Sequence, residues 1–138
     1  MEIKELSNSL QKLRCIQQKL NKEFELNTDF SLTRYEILSF LDEKQKCLQN
    51  EIAGHLEIDP AAITRQLKIL EEDGFVTRYR NKDNAREVIV SLTDYAKKEL
   101  QACKEKHKNQ DTDVSISIDS KDMDQLIKIL SHIEESFQ

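Results

Sequence analysis

Apolar residues recur at three- and four-residue steps at the start of the chain. Ile3, Leu6, Leu10, Leu13, Leu20 and Phe24 follow this rhythm and predict one amphipathic helix over residues 2–26. Asn27-Thr28-Asp29 predicts its end. Thr33, with Glu36 three residues on, predicts a capping box that opens a second helix with Ile37, Leu38 and Leu41 on its apolar face. Residues 42–45 read as a polar connection. Residues 49–56 then predict a short helix with Ile52, Ala53 and Leu56 inward, followed by a tight turn at Glu57-Ile58-Asp59. Asp59 is placed to cap the next helix, and Pro60 sits at its first position, where a missing N–H costs nothing. That helix is expected to run to about Glu72 and to stop at Asp73-Gly74.

The period then changes. Phe75–Tyr79 and Glu87–Leu92 are β-prone runs joined by the polar stretch 80–86, which predicts a hairpin with a flexible tip. Thr93-Asp94 restarts a helix that reaches about Lys108. Asn109–Asp113 is a polar break, and Val114, Ile116 and Ile118 alternate with serines as a short extended piece would. Ser120 opens a final helix with Met123, Leu126, Ile127, Leu130, Ile133 and Phe137 on one face. The chain has 138 residues with only two glycines and one proline, so helix should dominate. The expected fold is mainly α with a small β-hairpin wing. Three regions are expected: a dimerisation helix over 1–27, a winged helix-turn-helix over 28–93 and dimerisation helices over 94–138.

The formal net charge is −5, which by itself argues against a nucleic-acid partner. Its distribution changes that picture. Residues 1–59 carry a net −3, residues 60–92 a net +1 and residues 93–138 a net −3. Between Thr77 and Arg86 stand Arg78, Arg80, Lys82 and Arg86 against Asp83 alone. No apolar run approaches the ~20 residues of a membrane span, and no signal peptide is legible, so a cytoplasmic protein with no membrane partner is expected. Three widely spaced cysteines, Cys15, Cys47 and Cys103, fit a reducing compartment better than a disulfide scaffold.

Helix, short turn, capped helix, glycine stop and basic hairpin together make the plan of a winged helix-turn-helix, whose second helix lies in the major groove of DNA. Residues 60–72 suit that role. Ile63, Leu67 and Leu70 share one face, and Ala61, Ala62, Thr64, Arg65 and Lys68 fall largely on the other. Arg65 can grip guanine through two hydrogen bonds, and the alanines can offer only methyl contact, which suits thymine. Thr64 can serve base or phosphate. Gln66 can read adenine but lies nearer the apolar face. Lys68 is placed as a phosphate anchor, as are Gln49 and Asn50 on the preceding helix. Arg78, Arg80, Lys82 and Arg86 are candidate wing contacts, with Arg86 suited to a narrow minor groove.

The runs Leu32-Thr33-Arg34-Tyr35-Glu36-Ile37-Leu38, Glu51-Ile52-Ala53, Ile63-Thr64-Arg65, Leu70-Glu71-Glu72-Asp73-Gly74-Phe75-Val76 and Asp83-Asn84-Ala85-Arg86 resemble those of the MarR family of multiple-antibiotic-resistance-type regulators. The resemblance covers about residues 30–100. It implies a homodimer built by the N- and C-terminal helices, a roughly palindromic operator in double-stranded DNA, and relief of repression by a small-molecule inducer or an oxidant. Leu48 stands where the family usually has a Ser or Thr cap. Asn84 stands where an Asp is usual two residues before the wing arginine, unless Asp83 substitutes for it. Ala61 and Ala62 occupy positions that often carry hydroxyls, Ile69 replaces a residue that is often polar, and Ala96 stands where Gly is common.

Some relatives sense oxidants through a cysteine in the first helix, where Cys15 lies. A redox-sensing regulator acting through Cys15 is therefore one rival reading, although its neighbours Leu13 and Ile16 predict a packing role for it. A winged-helix protein-interaction module without DNA binding is another, kept open by the acidic total. Cys47 is expected in the core and Cys103 exposed. His55, His107 and His132 lack metal-ligand spacing, so neither a metal nor another cofactor is expected. No phosphate loop, paired-cysteine site or nucleophile elbow supports an enzyme.

Overall fold

The computed structural model describes residues 1–108 and 119–138. Helix α1 spans Ile3–Thr28, α2 Leu32–Lys44, α3 Gln49–Leu56, α4 Pro60–Glu72, α5 Asp94–His107 and α6 Ser120–Glu135. Strand β1 spans Lys46–Leu48, β2 Val76–Arg80 and β3 Val88–Leu92. The expected polar break at 109–113 and the extended piece with Val114, Ile116 and Ile118 lie outside the described residues.

Local chemistry accounts for most of the boundaries. Asp59 caps α4 by accepting from the Ala62 N–H at 3.2 Å, with Pro60 in the first turn. Gly74, at φ 82°, ends it, and the Phe75 N–H reaches back to the Leu70 carbonyl at 2.8 Å. Thr93 caps α5 by accepting from the Ala96 N–H at 3.1 Å, and its hydroxyl donates to the Gly74 carbonyl at 2.6 Å. One residue thus starts α5 and ties it to the end of α4.

Two expectations are corrected. The cap of α2 is Ser31, whose hydroxyl accepts from the Arg34 N–H at 3.3 Å; Thr33 already lies inside the helix, so the capping box at Thr33 and Glu36 does not form. The hairpin is also not alone. Residues 46–48 add a third strand, giving the antiparallel order β1-β3-β2, with Cys47 opposite Val90 and Arg78 opposite Val90 on the other side. Helix α2 also runs three residues into the expected connection, and Gln45, at φ 70°, turns the chain into β1.

The core lies between α2, α3, α4, α5 and the sheet. Ile37, Leu38, Leu41, Ile52, Ile63, Leu67 and Val90 are fully buried, and Leu70 and Leu100 nearly so. No charged side chain is buried among the described residues. The two outer helices behave differently. Along α1, Leu6, Leu10, Leu13, Ile16 and Leu20 stay 38–56% exposed, and α6 leaves Met123, Leu126, Ile127, Leu130 and Ile133 38–54% exposed. Helix α1 is roughly 39 Å long at the usual rise per residue, and only its last turns meet the core, where Phe24 packs edge-on against Tyr35 at 5.3 Å. No described helix is long and apolar enough to cross a membrane.

Candidate nucleic-acid interface

With Ile63, Leu67 and Leu70 buried, α4 turns a single stripe outward: Ala61, Thr64, Arg65 and Lys68, all exposed. Their spacing of three, four and seven residues puts them on one face of the helix. Ala62 is half-buried, its N–H spent on the Asp59 cap, and it stands at the margin of that stripe. Gln66 is turned inward. Its Oε1 is buried and meets no hydrogen-bond partner among the described residues, so the amide is not aimed at the outer face.

Four polar side chains tie α3, α4 and β2 together. Gln49, the first residue of α3, donates from Nε2 to Thr64 Oγ1 at 2.8 Å. Its Oε1 accepts from Arg78 of β2 at 3.4 Å. Arg78 donates in turn to both carboxylate oxygens of Glu71 on α4, at 3.3 and 3.4 Å. Thr64 completes the series by donating to the Pro60 carbonyl at 3.0 Å. Arg78 is therefore a brace between β2 and α4, with only 19% of its side chain exposed, and not one of the wing's free cations. Periodicity does not signal this brace, because its members lie up to 29 residues apart.

The wing tip is held by its own side chains, contrary to the expected flexible tip. Asn81 Oδ1 accepts from the Asp83 N–H at 3.0 Å, and Asn84 Oδ1 accepts from the Arg86 N–H at 3.2 Å. Both are turns in which a short polar side chain bonds the backbone two residues on. Arg80 donates to the Ala85 carbonyl at 2.7 Å and so is spent on the loop. Asn84, and not Asp83, is the residue that accepts from the Arg86 N–H. Lys82 and Arg86 remain exposed. Arg86 lines a cleft of about 160 Å³ together with Gln49, Asn50, Ala53, Pro60, Thr64, Glu87 and Val88. The cleft separates the wing from the starts of α3 and α4. Leu48 precedes α3 without a side-chain cap, as its apolar side chain requires.

The cysteines fall in three environments. Cys47 is buried in β1, and its thiol is pushed up to about 11, chiefly by burial, with Glu51 adding to the rise. Cys103 is half-buried, not exposed as expected, and burial raises it too. It lines a cleft of about 270 Å³ with Asn27, Phe30, Phe75, Lys106 and His107 among others. Cys15 is exposed, which corrects its expected packing role. Successive helix residues are about 100° apart, so its sequence neighbours Leu13 and Ile16 point elsewhere, and Cys15 lies with Gln18, Lys19 and Lys22. The histidines are separately engaged: His55 stacks on Phe40 at 4.5 Å, and His107 Nε2 lies 3.0 Å from the Asn27 carbonyl.

A short helix, a sharp turn at Glu57, a capped helix with an outward polar stripe and a three-stranded wing on one core define a winged helix-turn-helix. The MarR family model matches residues 30–88, and the chain is similar to MarR-family transcriptional regulators. One relative is the uncharacterized HTH-type transcriptional regulator YdgJ of Bacillus subtilis (strain 168), 27% identical over 127 residues, which span 92% of this chain and 77% of that protein. A mutant MarR from E. coli complexed with operator DNA has the same fold, with a TM-score of 0.82 at 19% identity, over 96% of this chain and 99% of that one. CouR, a transcriptional repressor bound to a 23-mer DNA duplex, gives a TM-score of 0.77 at 25% identity, over 97% of this chain and 98% of that one.

Proposed function

We propose that this protein is a sequence-specific regulator of transcription that binds duplex DNA as a homodimer and is released by a small molecule. The observation that carries the reading is the outward stripe of α4, Ala61, Thr64, Arg65 and Lys68, presented beside a wing whose free cations are Lys82 and Arg86. Residues 28–93 read the operator, while residues 1–27 and 94–138 pair the protomers through the apolar stripes of α1 and α6. Two copies related by a two-fold axis read a pseudo-palindromic site. The chain works by binding and not as an enzyme, and its DNA partner makes it a cytoplasmic protein. The cleft lined by Phe30, Phe75, Cys103 and His107 lies between the end of α1, the start of the wing and α5, between the reading and pairing regions, and offers a seat to a small inducer.

Arg65 and Lys68 test the reading, because one is assigned to a base and the other to phosphate. Arg65→Ala should lower affinity for the preferred site by about 1–3 kcal/mol and relax the preference at one base pair per half-site. Lys68→Ala should weaken all duplexes alike and flatten the dependence of log K on log salt. Binding titrations at several salt concentrations on selected and scrambled duplexes check both. Salt-independent binding, or none, sinks the DNA reading and leaves the protein-interaction module.

Exposure of Cys15 beside Lys19 and Lys22 favours a second reading, release by thiol oxidation. Cys15→Ser should then bind the operator normally but keep hold of it in peroxide. If peroxide still releases that variant, Cys15 is not the switch.

A further inference from the structure

We propose that Thr64 reads DNA through its methyl group and that Gln49 is the positioning residue that makes it do so. The inference rests on the DNA-binding reading above and narrows what α4 can recognise.

The direction of each hydrogen bond in the brace is fixed by its ends. A guanidinium can only donate, so the Gln49 atom facing Arg78 is the carbonyl Oε1. The amide nitrogen of Gln49 must then face Thr64, and it too can only donate. Thr64 Oγ1 therefore accepts from Gln49 at 2.8 Å. The hydroxyl proton has one place left inside the brace, the Pro60 carbonyl at 3.0 Å, which can only accept. Glu71, with oxygens 3.3 and 3.4 Å from Arg78, anchors the far end and holds the guanidinium in place.

Thr64 has thus spent its single proton and one of its two lone pairs on the protein. It cannot donate to guanine O6 or N7, or to thymine O4, without giving up the Pro60 bond. Yet the residue is exposed on the reading stripe, between Ala61 and Arg65. Besides one remaining lone pair, what it has to offer a base edge is its methyl group, and the apolar feature of the major groove is the C5-methyl of thymine. Ala61, three residues earlier, offers a methyl as well. The stripe then reads two methyl groups, a guanidinium and an ammonium in order, which specifies thymines beside a guanine in each half-site. Without the brace the same threonine would present a rotatable hydroxyl acceptable to several bases.

Selection of duplexes from a random pool by the full-length protein tests this, with wild type, Thr64→Val, Thr64→Ser and Gln49→Leu in parallel. Thr64→Val keeps the shape and removes the hydroxyl; it should select the wild-type half-site with affinity within about threefold. Thr64→Ser keeps the hydroxyl and removes the methyl; it should lose preference for thymine at one position per half-site, about fourfold each and roughly fifteenfold for the dimer. Gln49→Leu should broaden the preference at that same position. Replacing that thymine by deoxyuridine, which lacks only the methyl, should weaken wild type and leave Thr64→Ser unaffected. Melting temperatures show that each variant is folded. If Thr64→Val changes the selected base while Thr64→Ser does not, the hydroxyl is the reader and the proposal is wrong. If wild type selects no sequence at all, the failure belongs to the DNA-binding reading instead.

Discussion

Leu130→Asp should leave a protein of about 16 kDa in solution that binds its operator at least a hundredfold more weakly than the wild type. Leu130 lies in the middle of α6, half-exposed in the protomer, in line with Leu126, Ile127 and Ile133. These side chains are 42–54% exposed in the protomer, and on the proposed reading a second copy covers them. A carboxylate set into that contact, once from each copy, loses its hydration without gaining a partner. The reading domain should survive intact, because its core of Ile37, Leu38, Ile52, Ile63 and Leu67 contains nothing from α6. The loss of affinity follows from losing one of two linked half-sites, which removes the effective concentration that makes the second contact easy, a factor of about 10²–10⁴. Light scattering, circular dichroism and operator titration together check the outcome. A particle of twice the 16.2 kDa chain mass would show that the protomers pair elsewhere.

Leu67→Ala should cost about 2–5 kcal/mol of stability, the range for removing a fully buried leucine side chain. Leu67 has no exposed surface and stands between Ile63 and Leu70 on the inner face of α4. Native domains have only about 5–15 kcal/mol in total, so much of the protein's margin would go. The effect should also reach the operator, since the same helix carries the reading stripe on its opposite side, and its hold on the core sets where Arg65 and Lys68 stand. Denaturant titration gives the first quantity and operator affinity the second. Unchanged stability would mean that the surrounding core collapses into the space, and the assignment of Leu67 as an anchor would fall.

Much of this architecture was legible from periodicity and punctuation. Asp59-Pro60, Asp73-Gly74 and Thr93-Asp94 act within a few residues of themselves, and each does what its local chemistry predicts. The outward stripe of α4 was legible for the same reason. The strand at Lys46–Leu48 was not, because three residues are too few to establish alternation and their pairing with β3 is made across more than forty positions. Composition does not show how Arg78 and Arg80 are engaged: a cluster of arginines reads as a basic patch, but these two are held by Glu71 with Gln49 and by the Ala85 carbonyl. Cys15 was misjudged by adjacency in sequence, which on a helix is not adjacency in space. Gln49 and Thr64 were each identified as candidates singly, and nothing in the sequence reveals that they hold each other.

The knitted wing loop bears on time as much as on strength. A loop that must first be frozen in place loses conformational freedom on each encounter with DNA, and that entropy is subtracted from the gain of contact. Here Asn81, Asn84 and Arg80 have already fixed the backbone that carries Lys82 and Arg86. On the DNA-binding reading, the ordering is completed once, when the chain folds. The wing then meets the duplex in its bound shape, and its contribution is spent on lengthening the stay on the operator, which leaves an inducer a stable complex to break.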